Sequence, residues 1–359
     1  GSEMCIRDRQ SRDYLFDNYK VLLIALVVMG HFIELSYRNN DFLYTVKWLI
    51  VSFHMPAFIF ISGYFSKRDL PLKTLIQKLL IPYLVYELLY YALYTFIIEK
   101  PTELYLLYPK FSLWYIQALF FWRLLTPVIR RIPGYMILSV IAGLLVGCSD
   151  MPDNLLSIPR TLVFFPFFLA GTRFDRSLLT RFRTRKNQWL SGIFIVSFIL
   201  FLILEPGHKT LSPKIFYGRY NYDYLGQTDL DGILCRLFCY AIGFAMTFAI
   251  ALLISEKKLR CSFAGSRTMA VYLFHGLTYS FLKGSSNILS GIDTITGSIL
   301  LLGFCILLTA IFSLSPFTRF TNTVSGLTLP GKRKQVPKTD DFKVPKRRFL
   351  PGNLLPQNI

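Results

Sequence analysis

Apolar stretches long enough to cross a bilayer recur along almost the whole chain, separated by short polar breaks. Run one covers about residues 20–37 and run two about 43–65, with Arg38 the one basic residue between them. Lys67, Arg68, Lys73 and Lys78 crowd the next connector, and run three follows at about 79–98. Run four, about 112–129, ends at Arg130 and Arg131; run five, about 134–148, is short and carries glycines; run six, about 156–172, includes Arg160 and Pro166. After the basic segment RFDRSLLTRFRTRKN come run seven at about 189–204 and the long polar connector from Glu205 to Asp231. Runs eight, nine and ten lie at about 232–254, 268–282 and 297–314. The pattern predicts an all-α fold, a polytopic membrane helix bundle with about ten transmembrane helices.

Charge then orients the bundle. The strongly basic connectors alternate with poorly basic ones, and positive loops stay on the cytoplasmic side, so both termini are expected to be cytoplasmic. The formal charge of +19 raises the question of nucleic acid, but the basic residues fall in short loops between apolar runs and in the tail. Topology and contact with anionic headgroups explain that arrangement, and no nucleic-acid partner is expected. A hydrophobic content of 53% and a mean hydropathy of +0.44 fit a multi-pass protein of the cell (inner) membrane. The cysteines show neither the spacing of a metal knuckle nor a disulfide framework, so no metal is expected. The opening GSEMCIRDRQ lacks a signal peptide's apolar core; residues 1–10 read as a non-native scar, 11–320 as the membrane domain and 321–359 as a basic, flexible cytoplasmic tail.

Ionisable groups inside apolar runs are functional suspects. His31 follows Gly30 in run one, and Lys20 lies about 16 Å below it on a helix rising about 1.5 Å per residue, so the pair could mark two ends of one reaction path. A neutral imidazole at His31 could take a proton from a hydroxyl; the alternative is a histidine bonded across helices. His54, in FHMPAFIFISGYF, stands beside Pro56, which can distort the helix, and ahead of Gly63, which allows close approach. His275, in RTMAVYLFHG, could complete a polar cluster that binds the substrate or simply pack, and His208 reads as solvated. Arg160 could hold an acidic group or a developing oxyanion, whereas Arg123 is close enough to one face to snorkel. Trp114 and Gln117 in run four and Tyr222 in the tyrosine-rich long connector are candidates for holding a sugar, with an interfacial aromatic belt as the plainer account of the tyrosines. Lys20, Lys73, Lys78 and Arg68 form a basic collar able to receive phosphates, although positive-inside topology would yield a similar collar. No P-loop, H-E-x-x-H helix or G-x-S-x-G elbow is present.

Several phrases in shared order resemble a known family. They are RDYLFDNYK, the ten-residue gap between Lys20 and His31, FHMPAFIFISGYF, KTLIQKLLIPYLVYE, LWYIQALFFWR, RTLVFFPFFLAG and SRTMAVYLFHG. From about Arg12 to Arg319 the chain is similar to the integral-membrane acyltransferase family 3, especially its branch named for fucose 4-O-acetylase and related sugar acetyltransferases. That resemblance implies transfer of an acyl group, usually acetyl, from cytoplasmic acyl-CoA, here acetyl-CoA, to a hydroxyl of a sugar or polysaccharide. It marks His31 as the catalytic base or acyl relay and Lys20, Lys73 and Lys78 as donor-binding positions; His54 and Arg160 are further catalytic candidates from their own chemistry and place in the runs. Family members vary between arginine and lysine at the position of Lys20, and a lysine lacks the planar fork of arginine. The runner-up reading is a transporter or exporter of a lipid-linked sugar or small metabolite.

Overall fold

The computed structural model describes residues 13–151, 154–205 and 211–327; His208 and most of the expected tail lie outside them. Among the described residues every element is helical. In chain order they are α1 (Tyr14–Phe32), α2 (Asp41–Tyr64), α3 (Leu72–Leu75), α4 (Ile81–Ala92), α5 (Trp114–Ile129), α6 (Tyr135–Leu145) and α7 (Ile158–Arg173). They continue with α8 (Arg176–Phe182), α9 (Arg185–Leu204), α10 (Asp229–Leu253), α11 (Thr268–Ser285), α12 (Ile295–Phe312) and α13 (Ser315–Gly326). Turns of π-helix at Ile76–Leu80 and Leu93–Ile97 join and extend α3 and α4 into one span, Leu72–Ile97.

The helix starts follow local chemistry. Asp13, Asn40, Asp175, Thr184, Thr228 and Thr294 each accept a hydrogen bond from a first-turn N–H of the helix they precede, satisfying donors that would otherwise be orphaned. Among the described residues eight helical segments are long and apolar enough to cross a membrane, against the ten expected. The two shortfalls have different causes. The stretch 135–148 is apolar but too short to span the hydrocarbon at about 1.5 Å per residue. In α11, Thr268, His275, Thr278, Ser280 and Lys283 dilute the apolar content. Pro56 does not break α2, which runs unbroken through it while the ring packs against Gly243.

Glycines set the tightest crossing. A side chain at Gly63 would press on the backbone of Phe168 and Gly171, and one at Gly171 on the backbone of Phe60 and Tyr64. Both positions therefore admit only hydrogen if α2 and α7 are to meet at this depth. At one end of the bundle, Asn18 donates to the carbonyls of Ser255 (2.8 Å) and Lys257 (2.9 Å), and Arg176 links Asp13 (3.0 Å) to Glu256 (2.5 Å). Lys67 donates to the Phe174 carbonyl and Arg130 pairs with Asp69, both at 2.5 Å, so the connectors after α2, α5, α7 and α10 share that end. These are the strongly basic connectors of the sequence, and we refer to this as the basic end. The sequence missed α13, which continues helical through residues 321–326 and packs on α11 and α4.

Candidate functional site

His31 sits in the last turn of α1, where the helix passes into a short 3-10 turn at Ile33–Leu35. Its ring centroid lies 4.5 Å from that of Phe111, 5.3 Å from His275 and 6.3 Å from Tyr279. On α11, Tyr272 and Tyr279 stand three residues before and four after His275, the spacing that puts side chains on one helix face. His275 is fully buried; its Nδ1 is 3.0 Å from the Val271 carbonyl and its Nε2 has no partner. With Nδ1 donating to that carbonyl, Nε2 is left as an acceptor beside His31.

His31 lines a small chamber of about 20 Å³ together with Ile24, Val27, Met55, Phe58, Ser112, Trp114, Tyr115 and Tyr272. That is room for about one water molecule. Toward the basic end lies a vestibule of about 270 Å³, lined among others by Lys20, Arg123, Ser62, Ser66 and Thr268. Phe58, Tyr115 and Tyr272 line both spaces and form the partition between them. The Tyr115 and Ser62 hydroxyls are 2.5 Å apart, and Tyr272 donates to the Ser112 carbonyl, so two of the three rings are held by hydrogen bonds. A groove of about 370 Å³ adjoins the vestibule at Met269, which lines both; its polar lining includes Lys78, Arg267, Asn322 and Ser325, the last two from α13. The three spaces thus lie side by side, the α13 groove and the Lys20 vestibule on either side of Met269, and the vestibule and the His31 chamber on either side of Phe58, Tyr115 and Tyr272.

The expected site residues separate into groups. Lys20 lines the vestibule, its ammonium 3.0 Å from Asp17 and 5.0 Å from the Phe65 ring centroid, and Lys78 lines the α13 groove. Lys73 is exposed on α3 and borders none of the three spaces. Trp114 lines the chamber with the Arg160 guanidinium 4.9 Å over its ring, and Arg160 and His54 stand within electrostatic reach of His31. The Nδ1 of His54 lies 2.7 Å from the Ile50 carbonyl of its own helix, and the ring does not line the chamber. Gln117 is buried away from the chamber, its Nε2 3.5 Å from the Tyr83 hydroxyl and its Oε1 unpartnered. Tyr222 is not brought to His31. It lies between Gly147 and Gly232, donates to the Leu144 carbonyl at 2.7 Å and carries Arg236 4.7 Å over its ring, which pins the long connector to α6 and α10.

The structure also brings forward a lysine the sequence analysis passed over. Lys47 of α2 is buried, with its Nζ 2.5 Å from both the Gly30 carbonyl and Glu34 Oε2. Tyr217 of the long connector donates to the same carboxylate oxygen at 2.9 Å. A clamp therefore runs from the connector through Glu34 and Lys47 to the peptide preceding His31. The signal was available, since Lys47 is an isolated cation within an apolar run. Phe111, the ring nearest His31, has a backbone φ of +48°, and Leu156 and Ser157 have φ of +48° and +52°. Leu156 donates to the Leu107 carbonyl at 2.7 Å, joining these two strained segments.

The sequence profile of acyltransferase family 3, described as an acyltransferase domain, matches residues 13–315, from the cap of α1 to the first residue of α13. The chain belongs to this family. Within this acyltransferase family the chain is similar to the nodulation protein NolL of Mesorhizobium japonicum, at 27% identity over 199 residues, which is 50% of this chain and 52% of that protein. It is also similar to the nodulation protein NolL of Sinorhizobium fredii, at 43% identity over 65 residues, 17% of this chain and 18% of that protein. The chain spans about half the length, or less, of these curated relatives. No solved structure matches it. Among the described residues no cluster of His, Cys, Asp and Glu could hold a metal ion.

Proposed function

We propose that this membrane protein transfers an acyl group, in the first instance acetyl, from acyl-CoA to a hydroxyl of a sugar or cell-surface polysaccharide, in keeping with the fucose 4-O-acetylase-like branch of the family. The observation that supports the proposal is that the chamber beside His31 adjoins, across the rings of Phe58, Tyr115 and Tyr272, the vestibule that Lys20 lines. The basic end faces the cytoplasm in this reading, where acyl-CoA is found. Lys78 and Arg267 in the groove and Lys20 and Arg123 in the vestibule supply cations for the donor's phosphates. The pantetheine arm then points at the aromatic partition, and its thioester reaches His31 once Phe58, Tyr115 and Tyr272 part.

In direct transfer the acceptor oxygen attacks the thioester carbon as its proton passes to His31. The C–S bond then breaks, and the coenzyme A thiolate leaves and recovers that proton. Arg160, stacked on Trp114 beside the chamber, offsets the negative charge developing on the carbonyl oxygen. The unpartnered Nε2 of His275 accepts a hydrogen bond from His31 or from the acceptor hydroxyl. In the relay version the imidazole itself attacks, carries the acyl group and yields it to the acceptor in a second step. Membranes supplied with labelled acetyl-CoA and candidate glycans test the proposal. Label is expected on a glycan with the native chain, and none with His31→Ala inserted at equal level. Acetyl-CoA consumption unchanged by His31→Ala would refute the assignment, label held on the protein at His31 selects the relay, and transport of a sugar without acetyl-CoA turnover would favour a carrier.

A further inference from the structure

The helix α13 lies almost wholly beyond residue 315, where the match to the family profile ends, yet it supplies one wall of the groove beside the vestibule. Its two faces differ. Phe317, Phe320 and Val324 fall at helical spacing, and the two rings pack on Phe274 of α11 with centroids 4.9 Å and 5.7 Å away. Thr318, Thr321, Asn322 and Ser325 fall at the same spacing on another face, and all four line the groove. The apolar side seats the helix and the polar side is presented to the groove.

The groove, at about 370 Å³, has the size of a small-molecule site. The rest of its lining is Lys78, Ser266, Arg267, Met269, Ala270 and Gly326, which brings two cations and no acid. Arg267 donates to the Ser313 carbonyl at 2.8 Å, a neutral acceptor, and neither cation has an ion-pair partner among the described residues. The Thr318 and Thr321 hydroxyls donate back to the carbonyls of Leu314 and Phe317. Asn322 and Ser325 make no side-chain hydrogen bond among the described residues, and Asn322 is exposed. A phosphate alone would use the cations but not the amide or the apolar atoms of Met269 and Ala270, and a lipid tail would find only those apolar atoms. A phosphate joined to a flat ring with polar edges uses all of them. The cations take the phosphate, and the asparagine amide, with one donor and one acceptor side, matches the edge of adenine.

We infer that α13 completes a subsite for the 3′-phosphoadenosine end of the acyl-CoA donor, with Lys78 and Arg267 on the 3′-phosphate and Asn322 on the base. The inference rests on acyl-CoA being the donor. Met269 lines both the groove and the vestibule, and His275 stands six residues farther along α11, a rise of about 9 Å. A pantetheine arm leaving the groove past Met269 is long enough to cover that rise.

Isothermal titration of the full chain in detergent with CoA, 3′-dephospho-CoA and 4′-phosphopantetheine tests the subsite. Charge-assisted contacts to one phosphate are worth about ten-fold or more in affinity, so the native chain is expected to prefer CoA over 3′-dephospho-CoA by at least about that factor. Lys78→Gln, at an exposed position, is expected to weaken CoA about ten-fold and to leave 3′-dephospho-CoA within about two-fold. Asn322→Leu is expected to weaken both several-fold and to leave the weaker binding of 4′-phosphopantetheine unchanged. Equal affinity of the native chain for CoA and 3′-dephospho-CoA, or an unchanged CoA affinity in either variant, would overturn the inference while the transferase reading stands. Variants that lose co-purified phosphatidylglycerol but keep their CoA affinity would assign the groove to a lipid headgroup instead. No binding of CoA by the native chain would refute the acyl-CoA reading itself, and the subsite with it.

Discussion

Replacing Lys47 by methionine removes an ammonium that touches two acceptors at 2.5 Å, the Gly30 carbonyl and Glu34, while keeping much of the side-chain volume. Stranding one member of a fully buried ion pair costs about 3–5 kcal/mol. Here the stranded carboxylate is 32% exposed and keeps the Tyr217 hydroxyl, so the penalty moves down to about 1–3 kcal/mol. The larger effect is expected on turnover. Gly30 precedes His31, and releasing its carbonyl lets the end of α1 shift; a displacement of about 1 Å at a reacting group can cost about 100-fold in rate. Thermal unfolding in detergent and acetyl-CoA turnover should therefore respond differently across a double-mutant cycle. Lys47→Met lowers both, Glu34→Gln lowers stability modestly, and the double variant recovers stability by relieving the unpaired carboxylate without recovering rate. Lys47→Arg, which preserves charge and donors, should restore part of the rate with little change in the KM for acetyl-CoA. If the two single effects on stability simply add, within about 0.5 kcal/mol, the clamp is not a unit and the reasoning fails.

Phe111→Gly removes a residue held at a φ of +48° and takes the nearest ring away from His31, so relief of backbone strain partly offsets lost packing. Release of free thiol from acetyl-CoA without any acceptor is expected to rise several-fold, and no rise would mean that the ring does not exclude water. Gly171→Ala forces a methyl onto the backbone of α2 and should cost about 3 kcal/mol or prevent assembly, measured as loss of the monodisperse peak in size-exclusion chromatography. The Arg176 guanidinium holds the Glu256 carboxyl below its ordinary value, so the pair stabilises the fold above the unfolded value of about 4.3 and loses that contribution as the pH falls through the lower folded value. Glu256→Gln should thus flatten the decline of the melting temperature between about pH 5 and pH 3, and an unchanged decline would assign it to other carboxylates.

The linear pattern alone determined the all-helical membrane class, eight of the ten expected spans and the family, because each depends on local hydropathy and on short ordered phrases. The basic connectors were legible for the same reason, and they do gather at one end of the bundle. His31 stood out as an imidazole in an apolar helix. Its surroundings did not, because Phe111 and Tyr115 come from one distant stretch and Tyr272 from another, and they meet beside His31 only in the folded bundle. Tyr222 shows the converse: a tyrosine in a polar connector reads as a surface group, yet folding lodges it between two glycines as a buried pin. The second half of α13, from residue 321, was read as tail because its sequence is polar, and its neighbours α4 and α11 give the helix a place that propensity does not reveal. Hydropathy is a property of single segments, whereas a reaction chamber is made by several segments meeting, and only the tertiary structure decides which side chains meet.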